Sequence, residues 1–332
     1  MKVSFALPKG SLEKAVFDLL TLSGYVIKGQ ERTYRPSIND PGIELKILRP
    51  QEIPVAVAEG LHDVGITGSD WVEETRADVE QLLDLECGQV KLVTAIPAAW
   101  SEIDSFSALL RRLWAQGKNV RISTEYLNLA AEYVKRNEAY RTAFGDAEPM
   151  IVTPWWRRGE NPRVSIYLSF GATEAKPPEN ADAIIDLTQT GTTLEQNNLR
   201  IVETVTESSA VLVANKLSLR DPEKREKIYD ILTLLKGTVE GKRKIHIFVN
   251  VEERNLDELL KRLPALKRPT VSPLAGKGWF SVNTVIDRDE FLTVLPTLRR
   301  LAQGLVVHEP QQILELEEIA KSENRVANAK TH

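Results

Sequence analysis

The sequence predicts an α/β protein built as two lobes and followed by a small α+β module. Three features predict it. Short apolar runs of strand length alternate with amphipathic helical stretches along residues 1–238, the pattern of helices packed on a sheet. Residues 98–189 form an α/β segment of their own, set between two segments that read as parts of one layer. Residues 239–317 then run strand, helix, strand, strand, helix, strand, which is the ferredoxin-like order. At 332 residues the chain exceeds one ordinary core.

Each element has a local reason. Residues 3–7 (VSFAL) read as a strand. Ser11 can cap a helix whose apolar positions are Leu12, Ala15, Val16, Leu19 and Leu20, and Gly24 stops it. Residues 43–48 (IELKIL) and 63–67 (DVGIT) read as strands, with a helix over 51–60 between them. Asp70–Leu83 reads as a helix and 90–96 as a strand. In the second lobe Ile103, Phe106, Leu109, Leu110, Leu113 and Trp114 mark one helix face that ends at Gly117. Residues 119–123 follow as a strand, 127–136 as a helix, and 149–153, 163–169 and 183–187 as strands. Residues 200–214 return the chain to the first lobe, and 220–237 close it with a helix. In the third unit Ile245, Ile247 and Val249 alternate along one strand face. Asn255 with Glu258 resembles a capping box for a helix bearing Leu256, Leu259, Leu260 and Leu263. Strands over 269–274, 279–286 and 304–308 and a helix over 288–302 complete it. The expected boundaries are residues 1–97 with 190–238 for the first lobe and 98–189 for the inserted second lobe. Residues 239–317 form the module, and a polar tail, 318–332, frays.

Composition narrows the function. The chain is 42% apolar and 27% charged with net charge −4, so no basic excess points to nucleic acid or an anionic membrane. A single cysteine, Cys87, excludes an internal disulfide and favours a reducing compartment. No run reaches transmembrane length, and the start, MKVSFALPKGSLEKAV, lacks a leader-like apolar run. A cytoplasmic location is expected. The four histidines, His62, His246, His308 and His332, have no metal-ligand spacing.

The most informative stretch is DLTQTGTTL, residues 186–194. Asp186 stands at a strand end, and Gly191 permits positive φ and close backbone approach. Successive N–H groups in such a turn make an anion-binding nest, and the hydroxyls of Thr188, Thr190, Thr192 and Thr193 add donors without charge. This is neither a Walker A loop nor a dinucleotide fingerprint. An ordinary threonine-rich turn is the alternative. Trp155-Trp156-Arg157-Arg158 can stack a base and bind its phosphates, or form a hairpin or a subunit contact.

Several motifs, in order, carry a family resemblance. DAIIDLTQTGTTLEQNNLRIVE (182–203) resembles the phosphoribosyl pyrophosphate (PRPP) loop of ATP phosphoribosyltransferases, which open histidine biosynthesis. LPKGSLEKA (7–15), LRPQEIPVAVAEGLHDVGITGSDWVEE (48–74), RISTEYLNLAAEYV (121–134) and LSFGATEAKPPENADAIIDL (168–187) resemble its other catalytic motifs. RPTVSPLAGKGWFSV (268–282) and AQGLVVHEPQQILE (302–315) resemble the C-terminal domain of the long form.

The resemblance implies a core like type II periplasmic binding proteins and an ACT-like regulatory domain. It implies transfer of a 5-phosphoribosyl group from PRPP to N1 of ATP, with release of pyrophosphate and a need for Mg²⁺ bound mainly through substrate phosphates. It places Asp186, Thr188, Gln189, Thr190, Gly191, Thr192, Thr193, Leu194 and Glu174 around PRPP. Lys9, Gly10, Ser11, Arg49 and Asp70 fall on the pyrophosphate and ATP side, although some relatives carry arginine where Ser11 stands. Asp70 also reads as a helix N-cap. No general base is required, because the adenine N1 attacks without losing a proton. Histidine as inhibitor would meet Asn250, Leu266, Thr270 and Gly304, although others carry aspartate at the position of Asn250. Dimers and hexamers of the chain are implied. A cytoplasmic small-molecule sensor with the same lobes is the competing reading. A different phosphoribosyltransferase is another, but those of type I usually pair two acids before the loop, and here Asp182 lies four positions behind Asp186.

Overall fold

A computed structural model describes residues 2–264 and 269–314. The chain divides into two compact units. One takes Ser4–Val16 and Leu45–Arg220; the other takes residues 2–3, Phe17–Glu44 and the described residues from Asp221 onward.

The first unit holds the main sheets of both α/β lobes. The chain begins with β1 (Val3–Pro8), α1 (Glu13–Leu22), a two-residue ladder of β2 (Ile27–Lys28) and β3 (Ser37–Ile38) that falls in the other unit, and β4 (Ile43–Leu48). It continues with α2 (Ile53–Ala58), β5 (Val64–Gly68), α3 (Ser69–Thr75) and β6 (Glu80–Asp84). Lobe II contains β7 (Val90–Pro97), α4 (Phe106–Ala115), β8 (Val120–Thr124), α5 (Leu127–Arg136), α6 (Glu138–Phe144), β9 (Pro149–Val152) and β10 (Arg157–Arg158). Then come β11 (Asn161–Leu168), β12 (Ala183–Thr188), α7 (Thr192–Gln196) and β13 (Leu199–Ser208), before β14 (Ala210–Ala214) re-enters lobe I. The sheet orders are β4-β1-β5-β14-β6 and β10-β9-β11-β8-β12-β7-β13.

Three sequence expectations change here. The helix expected over 70–83 stops at Thr75, because Arg76 adopts a left-handed conformation (φ 52). The rest becomes β6, drawn into the sheet by antiparallel pairing of Leu83 with Leu212. Next, β7 falls within the expected bounds of lobe I, yet it pairs with β12 and β13 inside the lobe II sheet. The return segment is split: β13 stays in lobe II and only β14, after Ser209, joins lobe I. Both crossings between lobes therefore leave the same corner, where Val90 pairs with Ser208.

Lobe II packs around fully buried Leu92, Ile96, Phe106, Val120, Ile122 and Ile166. Its helix α5 has no side-chain cap of its own at Tyr126. Glu74 of α3 supplies one instead, accepting from the N–H groups of Asn128 (3.0 Å) and Leu129 (2.9 Å). Burial pushes the Glu74 carboxyl pKa up, and these N–H bonds oppose that shift. Glu74→Ala is expected to cost about 1 kcal/mol, the usual worth of a cap, read as a lower urea midpoint at unchanged slope.

In the other unit the long helix α8 (Pro222–Arg243) is capped by Asp221, which accepts from Glu223 N and Lys224 N. Expected to close lobe I, α8 instead groups with the C-terminal elements. Gly241 lacks a Cβ for a steric reason: one there would lie 2.8 Å from the Gln311 carbonyl oxygen. Beyond it come β15 (Lys244–Glu252), α9 (Glu253–Arg262), β16 (Thr270–Pro273), β17 (Trp279–Asp287), α10 (Phe291–Leu301) and β18 (Ala302–His308). Their order in the sheet, β16-β17-β15-β18, is ferredoxin-like, as the element order predicts. Ile245, Ile247, Val249 and Val251 face the helices. The capping box is not formed. Helix α9 starts two residues before Asn255, whose side-chain amide donates to Leu301 O at 3.2 Å. The tail expected over 318–332 lies outside the described residues.

Candidate functional site

Strands β9, β11, β8 and β12 lie parallel and adjacent, so their C-terminal ends share one edge of lobe II. Ligands gather at such edges. After β12, the Gly191 N–H donates to Thr188 Oγ1 (2.8 Å), and the hydroxyls of Thr190 and Thr192 lie 2.9 Å apart. Gly191 has φ 84 and opens α7. Leu194 is buried against Val93, Ala95, Ile184 and Leu199 and anchors the loop. Gln189, Thr190, Thr192 and Thr193 are exposed around it. The loop is a rim of exposed hydroxyls on a fixed base.

Asp186 precedes this rim. Its carboxyl accepts from Leu187 N at 2.7 Å. Its pKa is pushed up to about 6, first by burial and then by the carboxylates of Glu125 and Glu174, while a Thr173 hydrogen bond opposes the shift. Glu125, directly after β8, and Glu174, in a short helical turn between β11 and β12, are thus the carboxylates that act on Asp186 of β12. The motif match names Glu174 and Asp186. Glu125 is missed, although its place in RISTEY, directly after β8, is a strand-end signal. A weak contact of 3.4 Å brings Gln51 of lobe I to Glu125. Asp182 instead holds Arg121, through its Nε (3.1 Å) and Nη2 (2.9 Å). Asp182 is thereby committed to Arg121 and does not pair with Asp186.

In lobe I the ends of β1 and β4 bring Lys9, Gly10, Ser11 and Arg49 together. Lys9 N donates to Leu48 O at 2.8 Å. A Cβ on Gly10, whose φ is 93, would stand 3.7 Å from the Arg49 guanidinium. Ser11 and Arg49 are exposed.

Asp70 corrects its N-cap reading. Gly68 is the cap residue, and Asp70 lies inside the first turn of α3. It is 3% exposed. Its carboxylate accepts from Tyr126 OH (2.7 Å) and Ser208 OH (2.5 Å). Tyr126 stacks on Trp71 at 4.3 Å. Asp70 therefore joins α3 to lobe II and to β13, and its oxygens are occupied by protein donors. The Tyr126 hydroxyl pKa is pushed well above its usual value by burial, then by Asp70, Asp186 and Glu125.

On the C-terminal sheet Asn250 pairs with Ser281 and Gln303, and Thr270 with Asn283. The pairing register sets both on the face away from the helices. Gly304 (φ 65) sits at the register shift between Val249 and Asn250, and it lines a cavity of about 460 Å³ with Leu295, Leu298 and Arg299. Leu266 lies outside the described residues. Trp155-Trp156 form the tip of a β9–β10 hairpin, closed by Thr153 N to Trp156 O at 3.0 Å. A cavity of about 530 Å³ lined by Arg76, Arg136, Arg141 and Arg158 shares no residue with the threonine loop or the Lys9–Arg49 cluster. Among the described residues no group of three or more His, Cys, Asp or Glu is placed to hold a metal, and no helix is long and apolar enough to cross a membrane.

The chain matches the family described as ATP phosphoribosyltransferase over residues 49–237, and the C-terminal domain of that family over residues 241–310. A protein named ATP phosphoribosyltransferase from Solibacter usitatus (strain Ellin6076) is 36% identical over 315 residues, 93% of this chain and 98% of its own. One of the same name from Chlorobaculum parvum (strain DSM 263 / NCIMB 8327) is 35% identical over 319 residues, 94% of this chain and 98% of its own. Among solved structures the ATP phosphoribosyl transferase (HisG:HisZ) complex from Thermotoga maritima shares the fold, with TM-score 0.51 and 24% identity. It aligns over 72% of this chain and 98% of that one.

Proposed function

This chain belongs to the ATP phosphoribosyltransferase family, and from that premise we propose how its own residues carry the reaction. The enzyme transfers the 5-phosphoribosyl group of PRPP to N1 of ATP and releases pyrophosphate, the first step of histidine biosynthesis. The observation that carries the assignment of roles is that the threonine loop follows Asp186 directly at the end of β12, with Glu125 and Glu174 close enough to raise the Asp186 pKa.

The loop hydroxyls and N–H groups of residues 188–194 hold the 5-phosphate. Glu174 and Asp186 receive the ribose hydroxyls, with Glu125 beside them. As the bond from C1 to the pyrophosphate oxygen breaks, its electron pair leaves with pyrophosphate, and positive charge grows on the ribose. Fixed carboxylates nearby stabilise that charge. The N1 lone pair of adenine forms the new bond to C1, so no base is needed and alignment dominates. Lys9, the Gly10 N–H, Ser11 and Arg49 meet the departing phosphates. Asp70 reaches ATP only if its bonds to Tyr126 and Ser208 are exchanged.

Mg²⁺ fits this donor set only as an ion shared with substrate. No three-ligand protein site exists among the described residues, yet the Asp186 carboxyl pKa is raised by burial and then by the Glu125 and Glu174 carboxylates beside it. Such a site accommodates a cation held through one or two carboxylates and phosphate oxygens. Asp186 with Glu125 or Glu174 would hold such an ion together with phosphate oxygens, and it would supply Lewis-acid charge to the leaving group.

Histidine inhibition is assigned to the C-terminal sheet face that carries Asn250 and Thr270, with Gly304 at its bulge. The match over residues 241–310 supports a self-sufficient homo-oligomer. The test is a spectroscopic assay with ATP, PRPP, Mg²⁺ and pyrophosphatase, with and without histidine. Product that requires both substrates and falls with histidine is expected. Product indifferent to histidine removes the effector assignment, and the absence of both product and PRPP binding removes the catalytic roles.

A further inference from the structure

We infer that Trp155 and Phe170 form the wall on which the purine of the nucleotide stacks during transfer, a role that rests on the function proposed above. Both side chains are unusual for their size. Trp155 is 72% exposed and Phe170 is 71% exposed, and neither joins the lobe II core. They meet edge to face, with ring centroids 5.9 Å apart and planes at 76°, which leaves ring faces open to solvent. Large exposed aromatics grouped in this way mark a binding surface.

The mounts of the two rings are fixed. Thr153 Oγ1 accepts from Trp155 N (3.3 Å) and Trp156 N (3.0 Å), which sets the hairpin tip. Phe170 follows Ser169, whose N–H donates to Thr124 O at 2.8 Å and whose hydroxyl donates to Gly171 O at 3.1 Å. A rigid aromatic platform binds a flat ring at low entropic cost.

The sheet order supplies the ligand. Along one edge, the strand ends β12, β8, β11 and β9 come in that spatial sequence. They present the threonine loop, then Glu125, then Phe170, then Trp155. A Cβ at Gly171, the residue after Phe170, would stand 4.0 Å from Glu125 Oε1, so the aromatic pair begins where the carboxylates end. Three strand spacings separate the first end from the last, about 14 Å. A molecule laid along this edge needs an anion at one end, hydroxyls in the middle and an aromatic ring at the other. A phosphoribosyl group joined to a purine has that order.

The test is steady-state kinetics of full-length W155A, F170A and the double variant. Loss of one stacked base contact corresponds to about a tenfold weakening. The KM for ATP, or for a bare adenine nucleotide, should rise about tenfold in each single variant, while the KM for PRPP stays unchanged. W155F should restore most of the loss, since a flat ring returns. Independently of turnover, ATP should quench the tryptophan fluorescence of the wild type more than that of W155F, a comparison that needs no alanine variant to fold. An unchanged KM for ATP in a folded double variant, or equal quenching in both proteins, overturns the assignment while wild-type turnover leaves the enzyme reading intact. A sedimentation change with unaltered KM also overturns it, by placing the wall in a subunit contact.

Discussion

Asp186→Asn is expected to stabilise the folded chain at neutral pH while removing most of its activity. The carboxyl pKa stands at about 6 in the fold against 3.8 for the free side chain. The folded state therefore favours the protonated form. That contribution is complete below pH 3.8, is lost as the pH rises through about 6, and leaves a charged, crowded carboxylate above it. One pH unit of displacement corresponds to about 1.4 kcal/mol. Discounted for partial exposure, the gain for asparagine is about 2 kcal/mol at pH 7.5, shrinking towards zero at pH 4. Urea unfolding at both pH values measures it. The same variant should lose at least about a hundredfold in kcat, as preorganised electrostatic groups do when removed. A stable, inactive D186N identifies Asp186 as a residue kept for chemistry at the expense of stability. A gain for D186N of the same size at the two pH values would contradict the raised pKa of Asp186.

Gly191→Val is expected to lower kcat/KM for PRPP by about two orders of magnitude, with far less effect on the KM for ATP. The residue sits at φ 84, where a β-branched side chain is strained by about 1–2 kcal/mol. A Cβ there would approach Ile201 Cδ1 to 3.6 Å, so space is not the obstacle; the backbone angle is. The loop must shift, and its N–H groups and hydroxyls leave the phosphate position. Displacements near 1 Å in such a clamp cost about a hundredfold. Isothermal titration with PRPP separates this from a folding defect. Unchanged PRPP affinity would remove residues 188–194 from phosphate binding.

What can be read from the sequence is local. The threonine loop, the strand before it and the ferredoxin-like order depend on residues near one another in the chain, and period and turn chemistry report them. What escapes depends on distant partners. Residues 80–84 carry helical periodicity and become a strand only because residues 210–214 pair with them. Asp70 looks like a cap until Tyr126 and Ser208 arrive from elsewhere. Glu74 caps a helix that begins more than fifty positions later. Glu125 acquires meaning only from Asp186 on the neighbouring strand and Glu174 in the loop before it.

The return of β14 into the middle of the first sheet has a consequence for synthesis. As the chain leaves the ribosome, β4, β1 and β5 can assemble early, but β6 has no neighbour until residues 210–214 emerge. Lobe II, whose two ends pair at Val90 and Ser208, can close on itself first. At about 5–20 residues per second, the unpaired edge of β5 stays open for many seconds. Vectorial synthesis thus imposes an order, inserted lobe before host lobe, and leaves one apolar edge for a chaperone to cover. Pulsed hydrogen exchange on stalled nascent chains should show protection in 120–188 before 80–84; the reverse order would refute this sequence of events.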